Sequence, residues 1–140
     1  MCTSIRPTIS ENNKYWIDKH RYYELKHFCL QYQSWKRIYA ALEELDISSP
    51  AFDRIGSKAS GPGDPTTKLA MAKLYYSDRI KMVERTAKDA DEHIGEYILR
   101  AVTEELSYTY LKSRLEIPCS RDMYYDRYRR FFWLLSKERE

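Results

Sequence analysis

Apolar positions recur at intervals of three and four through most of this chain, the periodicity of helices that bury one face. Between 12 and 32, Trp16, His20, Tyr23, His27 and Leu30 keep that spacing, with Tyr15, Tyr22 and Cys29 on a flanking line. The spacing predicts a long amphipathic helix. Ser34 stands where it would cap a second one, whose Trp35, Ile38, Tyr39, Leu42 and Leu45 repeat in the same way. Two such neighbours predict an antiparallel helical hairpin. Turn formers then crowd the stretch 47–64, which holds three of the chain's 4 glycines and reads as a linker. Asp64 followed by Pro65 is an N-cap and first-turn proline pair, and the helix it opens carries Leu69, Ala72, Leu74, Tyr75, Ile80, Met82 and Val83 towards Ala90. Ile94, Tyr97, Ile98, Ala101 and Val102 mark a further amphipathic helix over 92–102.

The pattern changes character from Ser107 onward. Ser107 can cap a short helix in which Leu111 and Leu115 face the same way. Pro118 pushes the residue before it out of the helical region and lacks an amide hydrogen, so that helix must stop near Glu116. Ser120 can cap the next. There Tyr124, Tyr128, Phe131 and Leu135 fall on one apolar stripe, leaving Arg121, Asp122, Tyr125 and Arg129 on the other side. The outline is a helix-turn-helix with 92–102 as its supporting helix. The major groove admits one helix, and residues at the start of a recognition helix reach base edges there. The same outline also fits a capped amphipathic hairpin whose charged face is merely solvated.

Charge favours the first of these. The segment 107–140 has 8 basic and 5 acidic residues, a surplus equal to the +3 net charge of the whole chain. A local basic surplus is the footprint of a nucleic-acid surface. Asp122 and Asp126 dilute it, which suits a groove-reading helix better than a non-specific polycation. Neutralising about four phosphates would give a log–log salt slope near −4.

The remaining composition mostly excludes. With 140 residues, 43% hydrophobic and 32% charged, the chain can build a packed core without staples. No apolar run approaches the ~20 residues of a membrane span, and the start Met1-Cys2-Thr3-Ser4-Ile5-Arg6 has no signal-peptide apolar region, so a cytoplasmic location is expected. Cys2, Cys29 and Cys119 are odd in number and far apart, which predicts free thiols and neither a disulfide framework nor a zinc site. His20, His27 and His93 are accompanied by no nucleophile motif, paired carboxylates or phosphate loop. Neither enzymatic activity nor a metal or cofactor is expected.

The run Ala101-Val102-Thr103-Glu104-Glu105-Leu106-Ser107-Tyr108 through Leu111, with Leu115-Glu116-Ile117-Pro118-Cys119-Ser120-Arg121-Asp122-Met123-Tyr124-Tyr125-Asp126-Arg127, resembles the C-terminal helix-turn-helix of small phage transcriptional regulators of the RinA and ArpU type. Those in turn are similar to region 4 of bacterial sigma factors. The matching positions are Cys119, Ser120, Tyr124, Tyr125, Arg127, Arg129, Arg130, Phe131 and Leu135, about the last third of the chain. Pro118 stands where such turns usually have glycine, and Trp133 where a polar residue is common. The N-terminal Tyr-Trp-Ile-Asp-Lys-His-Arg-Tyr-Tyr-Glu-Leu is similar to phage and prophage proteins of Gram-positive bacteria.

The sequence therefore leads to an all-α fold, with a helical N-terminal hairpin (1–46), a linker (47–64) and a helical region (65–140) ending in a helix-turn-helix bundle. The expected function is sequence-specific duplex-DNA binding by a phage or prophage transcriptional regulator in a bacterial host, with a recognition helix about 120–135. Ser120, Arg121, Asp122, Tyr125, Arg127, Arg129 and Arg130 are the expected DNA contacts. Tyr15, Trp16, Tyr22, Tyr23 and Trp35 offer aromatic surface for a homo-oligomer or for host RNA polymerase. A small terminase subunit and a helical protein-binding adaptor are the alternatives.

Overall fold

Asn13 turns its side chain back onto the amide of Tyr15 at 2.8 Å, and extended Asp18 accepts the amide hydrogen of His20 at 2.9 Å. Both are local bonds that compete with helix and favour turns and caps. The first helix, α1 (Lys19–Cys29), therefore starts later than the apolar spacing from residue 12 suggests. After Leu30 and Gln31, α2 (Tyr32–Ile47) follows; Ser34 lies inside it and accepts a bond from Arg37 at 3.1 Å instead of capping. The computed structural model describes residues 11–47 and 64–140. Most of the expected linker (48–63) and Cys2 lie outside them. Asp64 does open α3 (Pro65–Ala90), accepting from the amide of Thr66 at 3.2 Å. Then come α4 (Gly95–Glu104), α5 (Tyr108–Leu115) and α6 (Arg121–Glu138). Among the described residues the fold is all-α, with no strand.

The chain divides into two compact units, one of Met1–Tyr32 with Met82–Glu140, the other of Gln33–Lys81. These do not follow the expected division at 46 and 64. In the first unit α1 packs against α6 and α4, which also touch each other. The buried stripe of α6 is the expected one, Tyr124, Tyr128, Phe131 and Leu135, widened by Phe132. From α1 come Tyr22, Leu25, Phe28 and Cys29, and from α4 come Ile98, Ala101 and Val102. The Tyr22 ring meets Phe132 edge-on at 5.0 Å, and its hydroxyl shares a 2.7 Å hydrogen bond with that of Tyr128, so two buried polar groups satisfy each other. Buried Thr86 and Thr103 donate to the carbonyls of Met82 and Leu99, each at 2.7 Å. Gly95 lets α4 approach α3 closely, because a Cβ there would sit 3.0 Å from the Ala87 carbonyl oxygen and 3.2 Å from the Lys88 Cα.

Tyr15, Tyr22 and Trp35 are all buried. Most of the aromatic surface expected to attract a partner is thus consumed inside the chain itself.

The second unit is lean. Its described residues bury only Trp35 and Leu69, and Lys73 Nζ pairs with Asp46 at 3.3 Å.

Candidate nucleic-acid interface

The helix-turn-helix is built from local signals. Extended Ser107 accepts the amide hydrogen of Tyr110 at 3.2 Å and so caps α5, and Ser120 does the same for Met123 at the start of α6, also at 3.2 Å. Between them α5 ends on Glu116 in the left-handed region (φ 55°), and the amide of Ile117 reaches back to the Leu111 carbonyl at 3.0 Å. A glutamate thus takes the conformation glycine would adopt at no cost. The left-handed position falls on Glu116, so Pro118 is not asked for a positive φ and its place in the turn is compatible with the ring. Ile117 plugs the core, and the Tyr108 hydroxyl donates to the Cys119 carbonyl at 2.7 Å, tying the turn to α5.

The expected contacts separate into two groups. Ser120, Arg121 and Asp122 are exposed at the N-terminal turn of α6, with the Arg121 guanidinium 5.1 Å from the centre of the Tyr108 ring. Tyr125, half-buried, stacks edge-on with Tyr124 and Tyr128. Arg127 and Arg130 instead serve the fold. Arg127 Nε donates to Asp91 at 2.9 Å and its Nη1 to Asp126, while Arg130 donates to the Tyr15 hydroxyl at 3.3 Å and the Asp89 carbonyl at 3.4 Å. They hold α6 to the α3–α4 connection and to the N-terminal segment, with both side chains half-buried. Arg129 is half-buried, and its Nε has no hydrogen-bond partner among the described residues. Trp133 sits 5.5 Å from the Tyr15 ring with Lys137 4.4 Å above it, which accounts for an aromatic residue at an outward position.

Two cations were missing from the expected set. Lys112 and Arg114 are exposed on α5, off the line of Leu111 and Leu115. Helical spacing alone was enough to place them outward. With Arg121 they give the exposed part of the motif three positive charges, against Glu116 and Asp122, which are also exposed.

Asp91 is the structural carboxylate of this region. Its Oδ1 accepts the amide hydrogens of His93 at 2.7 Å and Ile94 at 2.9 Å, opening α4, while Oδ2 takes the Arg127 bond. Burial alone would raise its pKa, but the Ile94 amide, Arg127 and the His93 amide together outweigh burial and hold it below the ordinary carboxylate value. A depressed folded-state pKa contributes stability that is complete above the unfolded value, ~3.9, and is lost as pH falls through the folded one. Asp91→Asn is accordingly expected to be less stable than the wild type at pH 7. The gap should narrow in thermal melts as pH drops below about 4, and a constant gap down to pH 2 would exclude this role.

Cys29 is buried, and burial pushes its thiol far up from the ordinary value, away from the reactive thiolate. His20, His27 and His93 are exposed, and no cluster of three or more metal-ligating side chains occurs among the described residues. No described helix is long and apolar enough to cross a membrane. Two shallow grooves flank α4, one of about 420 Å³ lined by His93, Glu96, Tyr97, Arg100 and Leu115, the other of about 350 Å³ beside Gly95. The fold and motif thus define an all-α protein carrying a capped helix-turn-helix. Comparison with protein-family models, with curated proteins and with solved structures finds no match.

Proposed function

We propose that this protein binds duplex DNA through the helix-turn-helix α5–α6 and acts as a transcriptional regulator of the phage or prophage type. The observation that carries the reading is the capped N-terminal turn of α6, exposed and bearing Arg121, with exposed Lys112 and Arg114 on the preceding helix. A helix presented by its first turn is the part that enters a major groove, where arginine donates two bonds to guanine. Arg121 reads bases in this scheme, with Ser120, Asp122 and Tyr125 beside it. Lys112 and Arg114 hold phosphates, as exposed cations without base access do. Arg127 and Arg130 act as positioning residues that fix the angle of α6.

The test is fluorescence anisotropy with labelled duplex DNA across a salt series. Two phosphate-neutralising cations, Lys112 and Arg114, predict a log–log slope of about −1.8. A second reading, a helical adaptor for a protein partner, is favoured by Glu116 and Asp122, which interrupt the positive surface. It becomes the better account if no duplex binds even at low salt, where phosphate contacts are strongest.

A further inference from the structure

The second unit presents an apolar face that no described residue covers. On α3, Met71 is 63% exposed, Leu74 61% and Tyr75 49%, three large side chains within about one helical turn. A helix draws most of its stability from packing an apolar face, and this unit buries only Trp35 and Leu69 among its described residues. Large exposed apolar patches mark interaction sites.

The charges around that face name the occupant. Exposed Lys68 and Asp78 bracket it, and the spacing Lys68, Met71, Tyr75, Asp78 runs three, four, three, the alternation of the contact positions of a coiled coil. Laid antiparallel on a second α3, these positions form consecutive layers: Lys68 against Asp78 of the other copy, Met71 against Tyr75, Tyr75 against Met71, and Asp78 against Lys68. Both apolar and charged members are symmetric about the same point, near residue 73, as a two-fold interface requires. A parallel pair would set Lys68 against Lys68 and Asp78 against Asp78, and like charges in register are unfavourable. Leu74 flanks the two central layers. The Arg79 guanidinium lies 3.5 Å from the centre of the Tyr75 ring, which also meets Tyr76 at 4.9 Å and stays 49% exposed.

We infer that the protein forms a two-fold dimer through antiparallel pairing of α3, with Lys68–Asp78 ion pairs closing both ends of a Met71–Tyr75 core. The partner is a second copy of this chain because the face is complementary to itself in charge and in spacing. The inference is independent of the DNA reading, since association is measured without DNA.

Sedimentation equilibrium of the full chain tests it. The wild type should show a concentration-dependent monomer–dimer equilibrium. Lys68→Glu and Asp78→Lys should each weaken dimerisation about tenfold, because each turns two exposed attractive pairs into repulsive ones. The double reversal should return it to within about twofold of wild type. Met71→Glu should abolish dimerisation while leaving the circular-dichroism helix signal unchanged, as Met71 is 63% exposed among the described residues. A wild type that stays monomeric at every concentration would overturn the inference, as would a dimer indifferent to Met71→Glu or a double reversal without rescue.

Discussion

Phe131→Ala is expected to destabilise the protein by about 3–5 kcal/mol, the range for large aromatic truncations in a core that cannot collapse. Phe131 is fully buried in the stripe of α6 and meets Phe132 edge-on at 4.9 Å. That stripe is where α1 and α4 converge. The cavity would therefore lie between elements held on several sides. Aromatic pairs add about 0.5–1.5 kcal/mol beyond burial, and this truncation forfeits that as well. Ile47→Ala, at a residue 81% exposed, should change stability by no more than about 0.5 kcal/mol. The measurement is urea denaturation followed by circular dichroism. A cost below about 1 kcal/mol for Phe131→Ala would mean that α6 is not the centre of this unit.

What the sequence revealed was local. Ser107, Ser120 and Asp64 were readable as caps because each side chain bonds an amide two or three residues on. Tyr124, Tyr128, Phe131 and Leu135 were readable because helical periodicity places them on one face without reference to the rest of the chain. The pairings of Arg127 and Arg130 were not readable, for the opposite reason. Their partners Asp91, Asp89 and Tyr15 lie 36, 41 and 115 residues away, and no periodicity reports a pairing at that separation. The same holds for α1, whose spacing showed an apolar face but not that α4 and α6 would cover it. Tyr15 and Tyr22 looked like surplus aromatic surface because their ring partners, Trp133 and Phe132, are far away in sequence. Lys112 and Arg114 were within reach of helical spacing.

The triple variant Lys112→Ala, Arg114→Ala, Arg121→Ala is expected to weaken duplex binding by about a hundredfold or more, equivalent to about 2.7 kcal/mol. All three are exposed and none takes part in the core, so circular dichroism and thermal melts should stay close to wild type. The loss should fall unequally. Lys112→Ala and Arg114→Ala should each lower the salt slope by about one and weaken every duplex alike, the behaviour of phosphate contacts. Arg121→Ala should cost about 1–3 kcal/mol on a preferred site selected from random duplexes and little elsewhere, the behaviour of a base contact. Arg127→Ala supplies the contrast. Its guanidinium is committed to Asp91 and Asp126, so its removal should lower thermal stability, and the salt slope of the protein that remains folded should hardly move. Binding left intact in the triple variant would place the interface elsewhere on the molecule. Equal losses from Arg121→Ala on selected and random duplexes would make the first turn of α6 a phosphate clamp, and the reading of sequence by this helix would have to be abandoned.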